Sequence, residues 1–108
     1  MTDKESKELN ERLALRCRFI SYDNYWAFPD ATTHDNLPSF TTDPAACLKW
    51  IMPVLREAGL YEVCFKYKGD SIECYLGIGN LPVMFKSIAE TESLAFCLAA
   101  DKFLSEVK

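Results

Sequence analysis

Apolar and polar positions alternate most regularly between Tyr61 and Ile78. Tyr61, Val63, Phe65, Tyr67, Ile72, Cys74, Leu76 and Ile78 fall on one side of the pattern, and Glu62, Lys66, Lys68, Ser71 and Glu73 fall on the other. A period of two is the mark of a half-buried strand. Gly69-Asp70 interrupts the pattern with a two-residue turn, in which glycine tolerates the positive φ that a tight hairpin needs. The turn sets a register with Tyr67 opposite Ile72, Phe65 opposite Cys74, Val63 opposite Leu76 and Tyr61 opposite Ile78. On the polar face Lys66 lies opposite Glu73. One face of this hairpin requires a core and the other faces water.

Helical spacing brackets the hairpin. Thr2 and Glu5 have capping-box spacing and Leu9, Leu13 and Cys17 recur at intervals of four, predicting a helix from Thr2 to about Arg16, with residues 1–5 free to fray. The aromatic stretch Phe19 to Phe28 predicts an edge strand at Tyr25–Phe28, ended by Pro29. Residues 29–42 show no periodicity and predict a long loop. Asp43-Pro44 opens a second helix with a broad apolar face from Ala46 to Ala58 and a stop at Gly59, and Pro53 predicts a kink or break near Ile51–Met52. Gly77 to Pro82 reads as a turn and Val83–Ile88 as a third strand. Thr91 caps a last helix running to about Val107, apolar around nearly its whole circumference from Leu94 to Ala100. The expected fold is α+β: an antiparallel meander of three to four strands packed with three helices in the order α-β-α-β-β-β-α, sandwich-like, in one domain spanning residues 1–108.

Charge distribution adds more than its total. The net charge is −4, yet residues 1–18 sum to +1 and residues 49–108 to −1. The excess lies in residues 19–48, which contain Asp23, Asp30, Asp35 and Asp43 and no lysine or arginine. A nucleic-acid binder calls for the opposite sign, so direct nucleic-acid binding is not expected. No apolar run reaches the roughly 20 residues of a membrane helix, and the charged N-terminus is unlike a secretory signal, so the expected location is the cytoplasm without membrane attachment. The five cysteines are odd in number and widely spaced, which reads as mainly buried thiols instead of a disulfide or zinc framework.

Two stretches carry a resemblance. Phe40-Thr41-Thr42-Asp43-Pro44-Ala45-Ala46, followed by a helix ending in Leu55-Arg56-Glu57-Ala58-Gly59, is the first; Ala89-Glu90-Thr91-Glu92-Ser93-Leu94-Ala95-Phe96-Cys97-Leu98-Ala99-Ala100 is the second. They resemble the corresponding elements of the phage ABA sandwich domain, over roughly residues 9–107. The resemblance implies a bacteriophage or prophage protein, acting in the cytoplasm of a bacterial host, from a family with no established general activity. It carries no functional residue across. Pro53 and the charged second face of the hairpin depart from the family, the latter fitting two layers better than a full sandwich.

Candidate chemistry is sparse. Gly77-x-Gly79 lacks the third glycine and the following helix of a dinucleotide site. His34, the single histidine, has Asp30 and Asp35 nearby but too few convergent ligands for a metal, and no nucleophile has an evident base, so neither cofactor, metal nor enzymatic activity is expected. The segment Tyr22–Phe40 remains. Phe19, Trp26 and Phe28 can close one end of the core, while Tyr22, Asp23, Tyr25, Asp30 and Asp35 form a candidate partner-binding surface. The expected function is that of a non-enzymatic phage accessory protein that binds a host protein or ribonucleoprotein and inhibits host defence, with an anti-CRISPR inhibitor as the leading version. One alternative is a binder of a nucleotide signal drawing on Lys66, Lys68, Lys86 and the arginine-rich end of the first helix. The other is a self-associating structural protein that uses the edge beside Val83–Ile88; a homodimer is compatible with all three readings.

Overall fold

The computed structural model describes residues 2–78 and 84–106. The long helix α1 (Asp3–Arg16) begins with a complete capping box: Thr2 Oγ1 accepts from the Glu5 N–H, and the Glu5 carboxylate accepts in return from the Thr2 N–H. Residues 3–5 are helical, and two donors at this end of the helix are satisfied. At the other end Arg18 takes a left-handed conformation (φ 72°) and the Phe19 N–H reaches back 3.0 Å to the Ala14 carbonyl, which directs Phe19 into the core.

Three strands of two residues follow, β1 (Ile20–Ser21), β2 (Trp26–Ala27) and β3 (Thr33–His34), forming an antiparallel sheet in the order β1-β2-β3. The expected edge strand at Tyr25–Phe28 is thus shorter and central. The expected loop over residues 29–42 contains β3, and Phe40 and Thr41 within it are buried. Tertiary contact overrides the lack of periodicity here: Phe19 packs against Phe28, Phe40 and Trp50, and this aromatic cluster gathers the segment onto the domain.

Asp43 caps the middle helix through the Ala45 N–H. It runs as α2 (Pro44–Ala46), a π-helical stretch Cys47–Ile51 and α3 (Met52–Glu57). The disturbance expected at Pro53 takes this form. Pro53 cannot donate to Lys49, the turn before it widens, and the Met52 N–H bonds to the Cys47 carbonyl while Ile51 and Met52 keep helical dihedrals. The helix is rewound where a kink or break was expected. Gly59, at φ 104°, ends it.

The hairpin strands β4 (Leu60–Lys68) and β5 (Ser71–Ile78) keep the expected register from Val63 to Lys68, and Gly69 has φ 57°. A bulge between Leu60 and Glu62 changes the far end, so Leu60 and not Tyr61 stands opposite Ile78. The third strand, β6 (Met84–Ala89), pairs antiparallel with β5 and extends one residue beyond its expected end at Ile88. The expected turn over Gly79–Pro82, the strand start at Val83 and the helix end at Val107 lie outside the described residues, and Gly77 and Ile78 belong to β5.

Helix α4 (Glu92–Glu106) explains its all-round apolar pattern by lying between layers, against β5 and β6 on one side and α1 with the middle helix on the other. Thr91 caps it through the Leu94 N–H. Ala95, Cys97, Ala99, Ala100 and Phe103 are fully buried along it. Arg12 and Arg16 of α1 both reach Asp101, at 3.2 and 3.6 Å, clamping α1 to α4. The architecture is α+β, as expected, with six strands in two antiparallel sheets among the described residues and the helices on one face of the larger sheet.

Candidate interaction surface

The chain projects its aromatic and acidic residues from the small sheet. β1 and β2 are joined by residues 22–25, and the Tyr22 N–H donates to the Tyr25 carbonyl at 2.9 Å. This closes the turn so that the two tyrosine rings stack, with centroids 4.8 Å apart and planes at 12°. Although they cover one another, the two residues remain 48% and 40% exposed. Asp23 and Asn24 stand exposed at the apex. Trp26, next in sequence, and Phe28 are half-buried against the core, and Phe19 is buried behind them. Alternating strand geometry therefore sends Trp26 inward and leaves the tyrosines outside.

Of the remaining acids, Asp35 shares this end and Asp30 does not. Trp26 pairs with His34, so Asp35 follows β3 on the side of Tyr25 and lies exposed. It also lines a polar groove of about 560 Å³ with Trp26, between residues 35–42 and the first half of α1. Asn10 holds the far wall by accepting from the Thr41 N–H at 3.3 Å. Asp30 occupies the β2–β3 turn at the other end of the strands. Its carboxyl is kept below the ordinary aspartate range by the Thr32 hydroxyl and Thr32 N–H, with a smaller contribution from Lys49. His34 Nε2 lies 3.0 Å from the same hydroxyl and its ring packs on Phe28, so its contacts are to the turn. No group of three or more His, Cys, Asp and Glu converges among the described residues.

Sequence spacing shows no sign of two contributors to this region. Lys49, next to the base-free segment in sequence, lies over Trp50 and brings a positive charge near Asp30. Asp3, Lys7 and Glu11 of α1 line the polar groove because the chain folds back at Phe40 and Thr41. The signals in the sequence are the apolar Leu37 and Phe40 within a polar run.

The outer face of the large sheet does assemble Lys66, Lys68 and Lys86, around Glu73. Lys66 stands opposite Glu73 in register, yet its ammonium sits 5.1 Å over the Tyr75 ring. Glu73 instead takes a 2.7 Å bond from the Tyr75 hydroxyl and lies 3.5 Å from both Lys68 and Lys86, diagonal neighbours in the twisted sheet. These contacts hold its carboxyl below the ordinary glutamate range, the Tyr75 bond most of all. The lysines thus surround a carboxylate that already occupies their centre.

On the opposite face an apolar groove of about 200 Å³ opens between the middle helix, β4 and the start of α4, lined by Leu48, Met52, Val63, Phe65 and Phe96. It is smaller than the roughly 300 Å³ at which pockets for drug-sized ligands begin. Four cysteines are buried; Cys47 and Cys97 place their sulfurs 3.7 Å apart, and burial raises Cys17 and Cys74 to about 12, so these thiols behave as small apolar groups. Cys64 is half-buried.

No protein-family model, curated protein or solved structure matches the chain. Among the described residues no helix is long and apolar enough to cross a membrane.

Proposed function

We propose that the chain is a non-enzymatic binding protein that engages a basic surface of a protein partner through the β1–β2 hairpin tip. The observation that carries this reading is the stacked Tyr22–Tyr25 pair, held in place yet about half exposed, with Asp23 at its apex and Asp35 beside it. Two rings already ordered against each other lose little further freedom on docking, and the carboxylates steer a positively charged partner. Asp30, occupied with Thr32 at the far end, is peripheral to this surface. The biological setting in this proposal comes from the resemblance of the two helix-opening stretches to phage ABA sandwich domains. In that setting the protein is a phage accessory protein that occludes a basic channel of a host defence protein or ribonucleoprotein, an anti-CRISPR inhibitor being its specific version.

Affinity purification of the tagged full chain from the cells in which it acts tests this function, with protein identification and ultraviolet absorbance of the eluate. A stoichiometric protein or ribonucleoprotein is the expected result, and an eluate holding only the bait overturns it. The competing reading is a small anionic ligand, favoured by the meeting of Lys66, Lys68 and Lys86. It predicts a large nucleotide-specific rise in melting temperature.

A further inference from the structure

The two edges of the large sheet are unlike. On β6 the Lys102 ammonium donates to the Lys86 carbonyl at 2.7 Å, so a charged side chain occupies the edge. The nine-residue β4 has no such cover among the described residues. The Lys68–Ser71 pair closes a two-residue turn, so Lys68, Lys66, Cys64 and Glu62 direct their backbone groups toward β5. Val63, Phe65 and Tyr67 then direct theirs outward, and among the described residues these groups have no backbone partner. Apolar surface flanks the same edge: Leu48, Tyr61 and Tyr67 are 63%, 77% and 64% exposed.

We propose that β4 is the interface for a second copy of this chain, pairing antiparallel with its own counterpart about a two-fold axis at Cys64. The register follows from the strand. Outward-facing residues must meet outward-facing residues, so the axis has to pass through a residue and not between two. An axis at Glu62 or Lys66 sets a charge against itself. An axis at Val63 runs Tyr67 against Gly59, beyond the bulge, and an axis at Phe65 runs Tyr61 against Gly69 in the turn. Cys64 centres the pairing on the regular part of the strand: Glu62 meets Lys66 of the second copy and Val63 meets Phe65, each twice by symmetry, and the bulge at Tyr61 falls at the two ends of the pairing, near Tyr67. The charges are thus self-complementary on the outer face. On the inner face the two apolar grooves lie side by side, beneath one continuous six-stranded sheet. The Cys64 residues fall at a non-hydrogen-bonded position, where side chains stand closest.

Light scattering of the full chain across a dilution series, combined with diamide oxidation, tests this interface. Diamide takes the two hydrogens of a thiol pair as the S–S bond forms. The expected results are a dimer mass and a covalent dimer reversed by dithiothreitol, lost in Cys64→Ser while the non-covalent dimer persists. Glu62 is exposed opposite Gly77, so Glu62→Lys leaves the fold intact by circular dichroism; it sets a positive charge against Lys66 of the second copy, twice by symmetry, and raises the dimer dissociation constant by about tenfold or more. The double variant Glu62→Lys/Lys66→Glu restores the dimer. A monomer mass at every concentration overturns the proposal. A dimer that Glu62→Lys leaves unchanged and diamide does not link through Cys64 also overturns it.

Discussion

Glu73 shows how a single carboxylate organises a solvent-facing sheet. Its side chain is 6% exposed, screened by the lysine stems and the Tyr75 ring, and its lowered pKa makes stability depend on pH. The folded carboxyl titrates below the unfolded one, so on acidification the unfolded chain takes the proton first. The contribution is whole above the ordinary glutamate range and is lost as pH falls through the lowered folded value. Glu73→Gln should therefore melt lower than the natural protein at neutral pH and show a shallower loss of melting temperature in acid. A second residue-scale feature is Ala31, held at φ 71° in the β2–β3 turn. That conformation costs alanine roughly 1–2 kcal/mol, whereas the extra freedom glycine brings to the unfolded chain costs roughly 0.4–1 kcal/mol. Ala31→Gly should stabilise by about 0.5 kcal/mol in urea unfolding.

At the scale of elements, α4 carries the architecture because it has no free face in its first half. Ala99 and Ala100 are fully buried where the helix lies between the sheet and α1, and their size sets how closely the layers approach. Ala99→Leu should lower stability by about 1–3 kcal/mol through overpacking, measured by urea unfolding with an unchanged m-value. The helix was legible because Thr91 marks its start and apolar residues on every side require burial on every side. The β4–β5 hairpin was legible because period two and a Gly-Asp turn agree. Its one misplacement, Tyr61, reflects a bulge, which leaves no mark in alternation. Of the small sheet only β2 was legible, through the aromatic run Tyr25–Phe28: two-residue strands have no period, and Phe19, Phe28 and Trp50 hold β1 and β3 to it from distant positions. The π-helical turn was legible only as a disturbance, since Pro53 shows that a donor is missing but not how the chain rewinds around it.

For the whole molecule, the fold separates surfaces of different character. The tyrosine tip is mounted on the aromatic end of the core, the lysines surround Glu73 on the outer sheet face, and β4 is left as an open edge among the described residues. Sequence composition located the acidic segment but not its division, because Asp35 and Asp30 are separated by the folding of β2 and β3, and Lys49 joins from the middle helix. The stacking of Tyr22 on Tyr25 likewise depends on a hairpin too short to leave a pattern. The most direct test of binding through this tip is quantitative affinity capture with the natural protein and a Tyr22→Ala/Asp23→Asn/Tyr25→Ala variant side by side, after circular dichroism shows equal folding. A partner retained by the natural protein and reduced at least about tenfold with the variant is the predicted result, since a few exposed aromatic anchors carry most of an interface's energy. Equal retention by both would place the binding surface elsewhere and contradict the account.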